Sequence, residues 1–132
     1  MGNVPLKELP ANHDMAHLER AMEFVDNFGV AIDGGAHQGI WTRRMLEWFD
    51  RVIAFEPVES NRMFIPSGAT VYPYALGDKP GTAAMKPGLE NTGQFHIGDG
   101  CAVSVVTLDS FNIVCDLLKL DVEGYELHAL MG

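Results

Sequence analysis

The sequence predicts an α/β fold with a mostly parallel sheet, and three observations carry that prediction. Short apolar runs alternate with amphipathic stretches through the first half of the chain, the order strand, helix, strand, helix, strand expected of parallel strands joined by crossovers. The first two runs, Val30-Ala31-Ile32 and Val52-Ile53-Ala54-Phe55, are continuous rather than alternating, as strands buried on both faces are. The chain has 132 residues, 47 % of them hydrophobic, which suffices for one small core and one domain spanning 1–132.

The elements follow in order. Residues 1–11 hold Pro5 and Pro10 and read as an extended arm. A helix over 12–28, capped by Asn12 or Asp14, carries Met15, Leu18, Met22 and Val25 on one stripe and stops at Gly29. The remainder, 29–132, reads as one ligand-binding core. Its first strand, Val30–Ile32, ends at Asp33 and the Gly34-Gly35 turn. A second helix is expected from Ile40 to Phe49, packing through Trp41, Met45, Leu46 and Phe49. The next strand, Val52–Phe55, ends at Glu56-Pro57, where Pro57 stops the hydrogen-bond ladder. A short helix over Glu59–Phe64 and a third strand over Thr70–Leu76, closed by Gly77-Asp78, come next. Short strands near 82–86 and 93–97, a strand over Val103–Leu108, a strand over Leu117–Leu120 and a helix from about Gly124 complete the chain.

Charge and composition exclude several classes of function. The 9 Lys+Arg against 18 Asp+Glu leave a net charge of -9, the opposite of the basic footprint that duplex nucleic acid or an anionic membrane requires. No apolar run reaches the roughly 20 residues of a membrane span, and no signal peptide begins the chain, so a cytoplasmic protein is expected. Cys101 and Cys115 each lie in an apolar run and read as reduced, buried thiols, with a structural disulfide as the alternative.

Three strand ends carry chemistry: Asp33-Gly34-Gly35-Ala36-His37-Gln38-Gly39, Glu56-Pro57 and Asp121-Val122-Glu123-Gly124. In an open α/β sheet the ligand crevice lies outside the carboxyl ends of the strands, so these acids, distant in sequence, converge there. Gly35 lets the backbone bend and approach a ligand, Gly39 lets the following helix pack closely on the sheet, and that helix offers free N–H groups to an anion. Glu56 follows Asp33 by 23 residues, the spacing at which an acid accepts hydrogen bonds from both hydroxyls of a ribose. Asp33 would repel a dinucleotide's pyrophosphate and attract an ammonium, which favours S-adenosylmethionine over NAD. Glu56 alone does not separate the two, because both carry adenosine. The plainer readings are a turn-forming Asp33 and a solvated Glu56.

The segment Ile32-Asp33-Gly34-Gly35-Ala36-His37-Gln38-Gly39 resembles the first motif of class I S-adenosylmethionine-dependent methyltransferases, Asp-x-Gly-x-x-x-Gly. More narrowly, the chain resembles the FkbM family of methyltransferases. The likeness rests on the ordered blocks around Asp33, Phe55-Glu56-Pro57, Ala75-Leu76-Gly77-Asp78 and Leu118-Lys119-Leu120-Asp121-Val122-Glu123-Gly124-Tyr125-Glu126-Leu127. Asn91-Thr92-Gly93 and Thr107-Leu108-Asp109-Ser110-Phe111 also fit. The resemblance implies a Rossmann-like class I methyltransferase fold, S-adenosyl-L-methionine as cofactor, and methyl transfer to a hydroxyl, often on a sugar or another small molecule. It implies that Asp33, Gly35, Ala36, His37 and Gly39 line the methionine end of the cofactor and that Glu56 and Pro57 lie at the ribose. Ala75, Leu76 and Gly77 would lie near the adenine, with Asp78 near its amino group. Asp121 would lie by the sulfonium and the acceptor, with Glu123 as the second candidate for catalysis.

In-line displacement at a methyl group is helped most by positioning, and a hydroxyl acceptor benefits from a base. Asp121, Glu123 and His37 are the candidates for that base, whereas His96 reads as an ordinary polar strand position and His13, His17 and His128 as solvent-facing. Asp121 and Glu123 could together hold a divalent cation for a diol, but two carboxylates at this spacing are a weak metal signal and no metal is expected. The family's domain normally continues beyond the Glu-Gly-x-Glu block, so its C-terminal strands are expected to be missing. The strand ending at Asp121 would then be a sheet edge, open to pairing in a homo-oligomer. The alternatives are a catalytically inactive S-adenosylmethionine- or adenosine-binding module and an NAD-dependent Rossmann enzyme.

Overall fold

The structure, a computed structural model, describes residues 15–87, 95–97, 101–122 and 124–132. The arm at 1–11, the helix caps Asn12 and Asp14, His13, the Asn91-Thr92-Gly93 block and Glu123 lie outside the described residues. Among the described residues, two four-stranded sheets form the fold. The first has the order β3-β2-β1-β8 and is parallel throughout, built from β1 (Val30–Gly34), β2 (Arg51–Phe55), β3 (Thr70–Tyr72) and β8 (Leu117–Leu120). The second has the order β4-β7-β5-β6 and is mixed, with β4 (Tyr74–Leu76) parallel to β7 (Cys101–Val106), and β5 (Gly81–Pro87) antiparallel to both β7 and β6 (Phe95–Ile97). Helices α1 (Met15–Met22), α2 (Ile40–Leu46), α3 (Glu59–Arg62) and α4 (Glu126–Met131) accompany them. The parallel sheet with crossover helices is the Rossmann-like arrangement expected from the sequence.

Successive residues of a strand face opposite sides of a sheet, and the core divides accordingly. Ala31 and Val52 meet Leu18 and Met22 of α1 and Met45 and Phe49 of the α2 segment on one face. Ile32, Ile53 and Phe55 meet Leu76 and Ala129 on the other. Asp33 and Lys119 share the face of Ala31 and Leu117, which places both toward α2. Cys115 is a free, half-buried thiol packed against the second cluster, and burial together with Asp116 pushes its ionisation up.

The structure corrects four element boundaries. The first helix ends at Met22 rather than near Gly29, because its last turn tightens: the N–H groups of Glu23, Phe24 and Val25 each bond three residues back, to Arg20, Ala21 and Met22. The second helix ends at Leu46, although Phe49 still reaches the core from the following turn. The strand expected over Thr70–Leu76 is two strands in two sheets, interrupted at Pro73. Proline has no N–H to give to a ladder, so pairing stops there and the chain leaves β2 for β7. The strand expected to reach Leu108 ends at Val106 and gives way to a 3₁₀ turn over Leu108–Phe111.

Candidate functional site

The parallel register lines up the carboxyl ends of three adjacent strands. Gly34 pairs with Phe55 of β2 and with Leu120 of β8. Gly35, Glu56 and Asp121, each the next residue in its chain segment, therefore stand in one row. The structure thus brings together the first, second and fourth of the sequence blocks. The remaining block does not join the row. Ala75, Leu76 and Gly77 belong to the end of β4 in the second sheet, where Leu76 is a core residue beneath Ile32, Ile53 and Phe55, and half-buried Asp78 follows them.

The turn after β1 is built from its glycines. Gly35 has φ +75, and a Cβ there would lie 2.0 Å from the backbone oxygen of Asp121, so only glycine lets the turn and the end of β8 approach this closely. Gly39 has φ +81, and its close neighbours are Ile65 and Pro66, not the sheet that the sequence suggested. His37 also adopts the left-handed region, at φ 51. The amides of Gly35 and Ala36 both donate to the Phe55 carbonyl, at 2.9 and 3.1 Å, and Gly39 donates to the Ala36 carbonyl at 2.8 Å. The Asp121 amide donates to the Gly34 carbonyl at 2.9 Å and so extends the ladder by one residue past β8.

Glu56 is 3 % exposed and joins the turn to the end of β2. Its Oε1 accepts the His37 amide at 2.9 Å and its Oε2 accepts the Val58 amide at 2.8 Å. A carboxylate offers about four lone-pair directions, so one remains on each oxygen after these bonds. Pro57 lies between the two bonding partners in this loop, and Arg62 braces it by donating to the carbonyls of Glu56 at 3.0 Å and Pro57 at 2.5 Å.

Asp33 is fully buried, at 0 % exposure, one residue before the end of β1. Its Oδ2 accepts the Thr42 hydroxyl of α2 at 2.6 Å. Its Oδ1 has the Lys119 ammonium at 2.8 Å as an ion partner but receives no aligned hydrogen bond. Asp33 and Lys119 are cross-strand partners in the β1–β8 register, which is why they meet. Sequence reasoning about the site missed Lys119 and Thr42. A signal for the first was present: Lys119 is the lone charge in the apolar strand Leu117-Leu118-Lys119-Leu120, and a charge in such a strand needs a partner.

Asp121 is exposed, in contrast to the two buried acids. The row therefore offers buried Glu56 with spare acceptor capacity, a backbone turn held close to it, and a solvent-accessible carboxylate at its far end. Such a set suits a ligand that donates hydrogen bonds, such as a ribose diol or an ammonium. Among the described residues, no three His, Cys, Asp or Glu side chains gather in a way that could hold a metal ion, and no helix is long and apolar enough to cross a membrane.

Comparison with known proteins bears on the same residues. The methyltransferase FkbM domain matches residues 33–132, a span that begins at Asp33 and includes every strand end of the row. No curated protein and no solved structure gives a significant match.

Proposed function

The chain belongs to the methyltransferase FkbM domain family, and from that premise we propose that it is an S-adenosylmethionine-dependent O-methyltransferase acting on a hydroxyl of a sugar or other small molecule. The observation that carries the proposal is the alignment of Gly35, Glu56 and Asp121 across three adjacent parallel strands.

The residues present fit the cofactor. Its ribose hydroxyls are donors and need acceptors, and Glu56 keeps a lone pair on each oxygen after accepting His37 and Val58. Its ammonium needs acceptors as well, and Asp121 supplies an accessible carboxylate at the end of the row. S-adenosylmethionine supplies an electrophilic methyl group on a sulfonium that leaves as a neutral thioether. The chain's own part is to orient: Glu56 holds the ribose, and the Gly35–Gly39 turn sets where the methionine end lies. Asp121 is the base proposed to take the acceptor hydroxyl's proton, with Glu123 the second candidate. The charge of -9 agrees with an uncharged small acceptor rather than nucleic acid.

One observation favours a second reading. The Lys119 ammonium compensates Asp33, so the charge that argued against a pyrophosphate is cancelled and NAD must be tested. Calorimetry with S-adenosylmethionine, S-adenosylhomocysteine and NAD separates the two. The proposal expects binding of the first two, weakened by about 1–3 kcal/mol in Glu56→Ala through loss of charge-assisted hydrogen bonds. NAD binding with no response to the sulfur ligands would overturn it.

A further inference from the structure

Lys119 lies inside the fold at the row of strand ends, and the strand-end acids proposed to meet the cofactor do not include it. Its side chain is 12 % exposed, and its ammonium has three neighbours on three different segments. It lies 2.8 Å from Asp33 Oδ1 on β1, donates to the Gly35 carbonyl of the turn at 2.9 Å, and sits 5.5 Å from the centroid of the Trp41 ring on α2.

The contact with Gly35 distinguishes this pair from a buried ion pair that serves stability alone. The Gly35–Ala36 peptide unit carries the Gly35 carbonyl on one side and the Ala36 N–H on the other. The carbonyl accepts from Lys119 of β8, and the N–H donates to Phe55 of β2. The peptide that follows a left-handed glycine is therefore held from opposite sides. Gly35 has no side chain to restrain it and would otherwise populate several backbone wells.

We propose that Lys119 is a positioning residue that clamps the Gly35–Ala36 peptide and so holds the Gly35–Gly39 turn in its ligand-ready geometry, Asp33 serving to anchor the ammonium. The proposal rests on the reading that this turn receives the methionine end of the cofactor. In that reading Lys119 touches neither cofactor nor acceptor and acts through the turn.

Two variants separate positioning from simple charge compensation. Lys119→Met leaves Asp33 buried without its cation and removes the clamp. Lys119→Met combined with Asp33→Asn removes the buried charge as well, yet still lacks the clamp. Amide hydrogen exchange of the unliganded protein reads the turn directly, because the amides of Gly35, Ala36 and His37 are all bonded in the native state. The expected result is at least tenfold faster exchange at these amides in both variants, relative to Ile53 and Ala54 within β2, even where the double variant regains the wild-type melting temperature. S-adenosylhomocysteine affinity should fall at least tenfold in both. Exchange at the turn that is unchanged in Lys119→Met, or that recovers with melting temperature in the double variant, would overturn the proposal. If wild-type protein fails to bind S-adenosylhomocysteine, the cofactor reading fails, and the exchange result still decides the role of Lys119.

Discussion

Asp33 and Glu56 are both buried acids at strand ends, yet the structure gives them different tasks. Asp33 has both oxygens directed to protein partners, Thr42 and Lys119, whereas Glu56 accepts two backbone amides among the described residues and keeps acceptor capacity. Their positions were legible from glycine spacing and the 23-residue interval. The division of labour was not, because Lys119 follows Asp33 by 86 residues and their pairing depends on the β1–β8 register. Glycine roles were legible in kind more than in target: Gly35 and Gly39 both need positive φ, but their close neighbours are the Asp121 carbonyl and the Ile65–Pro66 segment. At Gly35 the consequence is direct. Gly35→Ala forces a side chain into the left-handed region, at a cost of about 1–3 kcal/mol, and adds a collision with the Asp121 carbonyl. Urea unfolding should show a loss at or above the upper end of that range, with cofactor affinity falling as well. A variant as stable as wild type would mean that the turn is not held against β8.

Among the elements, α1 and α2 are joined at their surfaces as well as through the core. Arg44 of α2 donates to both oxygens of Glu19 on α1, also contacts Glu47, and stacks its guanidinium 5.2 Å from the Trp48 ring centroid. The bond to Arg44 holds the Glu19 carboxyl below its ordinary range, and the two carboxylates hold the Arg44 guanidinium even more firmly protonated. A carboxyl depressed in the folded state stabilises above its unfolded value and loses that contribution as pH falls through the folded one. Wild-type protein should therefore melt higher than Glu19→Gln at neutral pH, with the difference closing as the pH is lowered below 4.5, the ordinary value for this group. Melting curves of the two proteins against pH test this, and a constant difference across the acid range would argue that the bond is not formed in solution. Element types were largely readable, because continuous apolar runs mark buried parallel strands and a three-to-four spacing marks helices. The break at Pro73 was harder to see. Thr70 to Leu76 is a plausible strand on both sides of the proline, and only the separate partners of Tyr72 and Tyr74 reveal two sheets.

At the scale of the molecule, the two sheets are held together by an aromatic group that no local pattern announces. Phe55 of β2 stacks on Tyr72 of β3 at 5.4 Å and meets Phe111 edge-on at 5.2 Å, while Tyr72 lies 4.8 Å from Phe111 and 6.3 Å from Tyr74 of β4. These rings come from four segments, so their meeting is a product of topology. Phe111→Ala should cost about 2–3 kcal/mol, somewhat below the 3–5 kcal/mol of a fully buried phenylalanine because this ring is half-buried. Denaturant unfolding measures it, and a change under about 0.5 kcal/mol, typical of a surface site, would show that the sheets are joined elsewhere. The fold class, the acidic strand ends and the family were therefore accessible from local runs and ordered motifs. The aromatic join, the Lys119 clamp and the place of the Ala75–Asp78 block in the second sheet needed the three-dimensional register. In the function proposed for the chain, one row of strand ends, Gly35 to Gly39, Glu56 and Asp121, receives S-adenosylmethionine. Titrating isotope-labelled protein with S-adenosylhomocysteine and following backbone amide resonances tests it most directly. The largest shifts should fall on Gly35 to Gly39, Glu56, Val58 and Asp121, and they should be lost in Glu56→Ala. Saturable shifts centred on β5 and β7, or none at millimolar ligand, would contradict it.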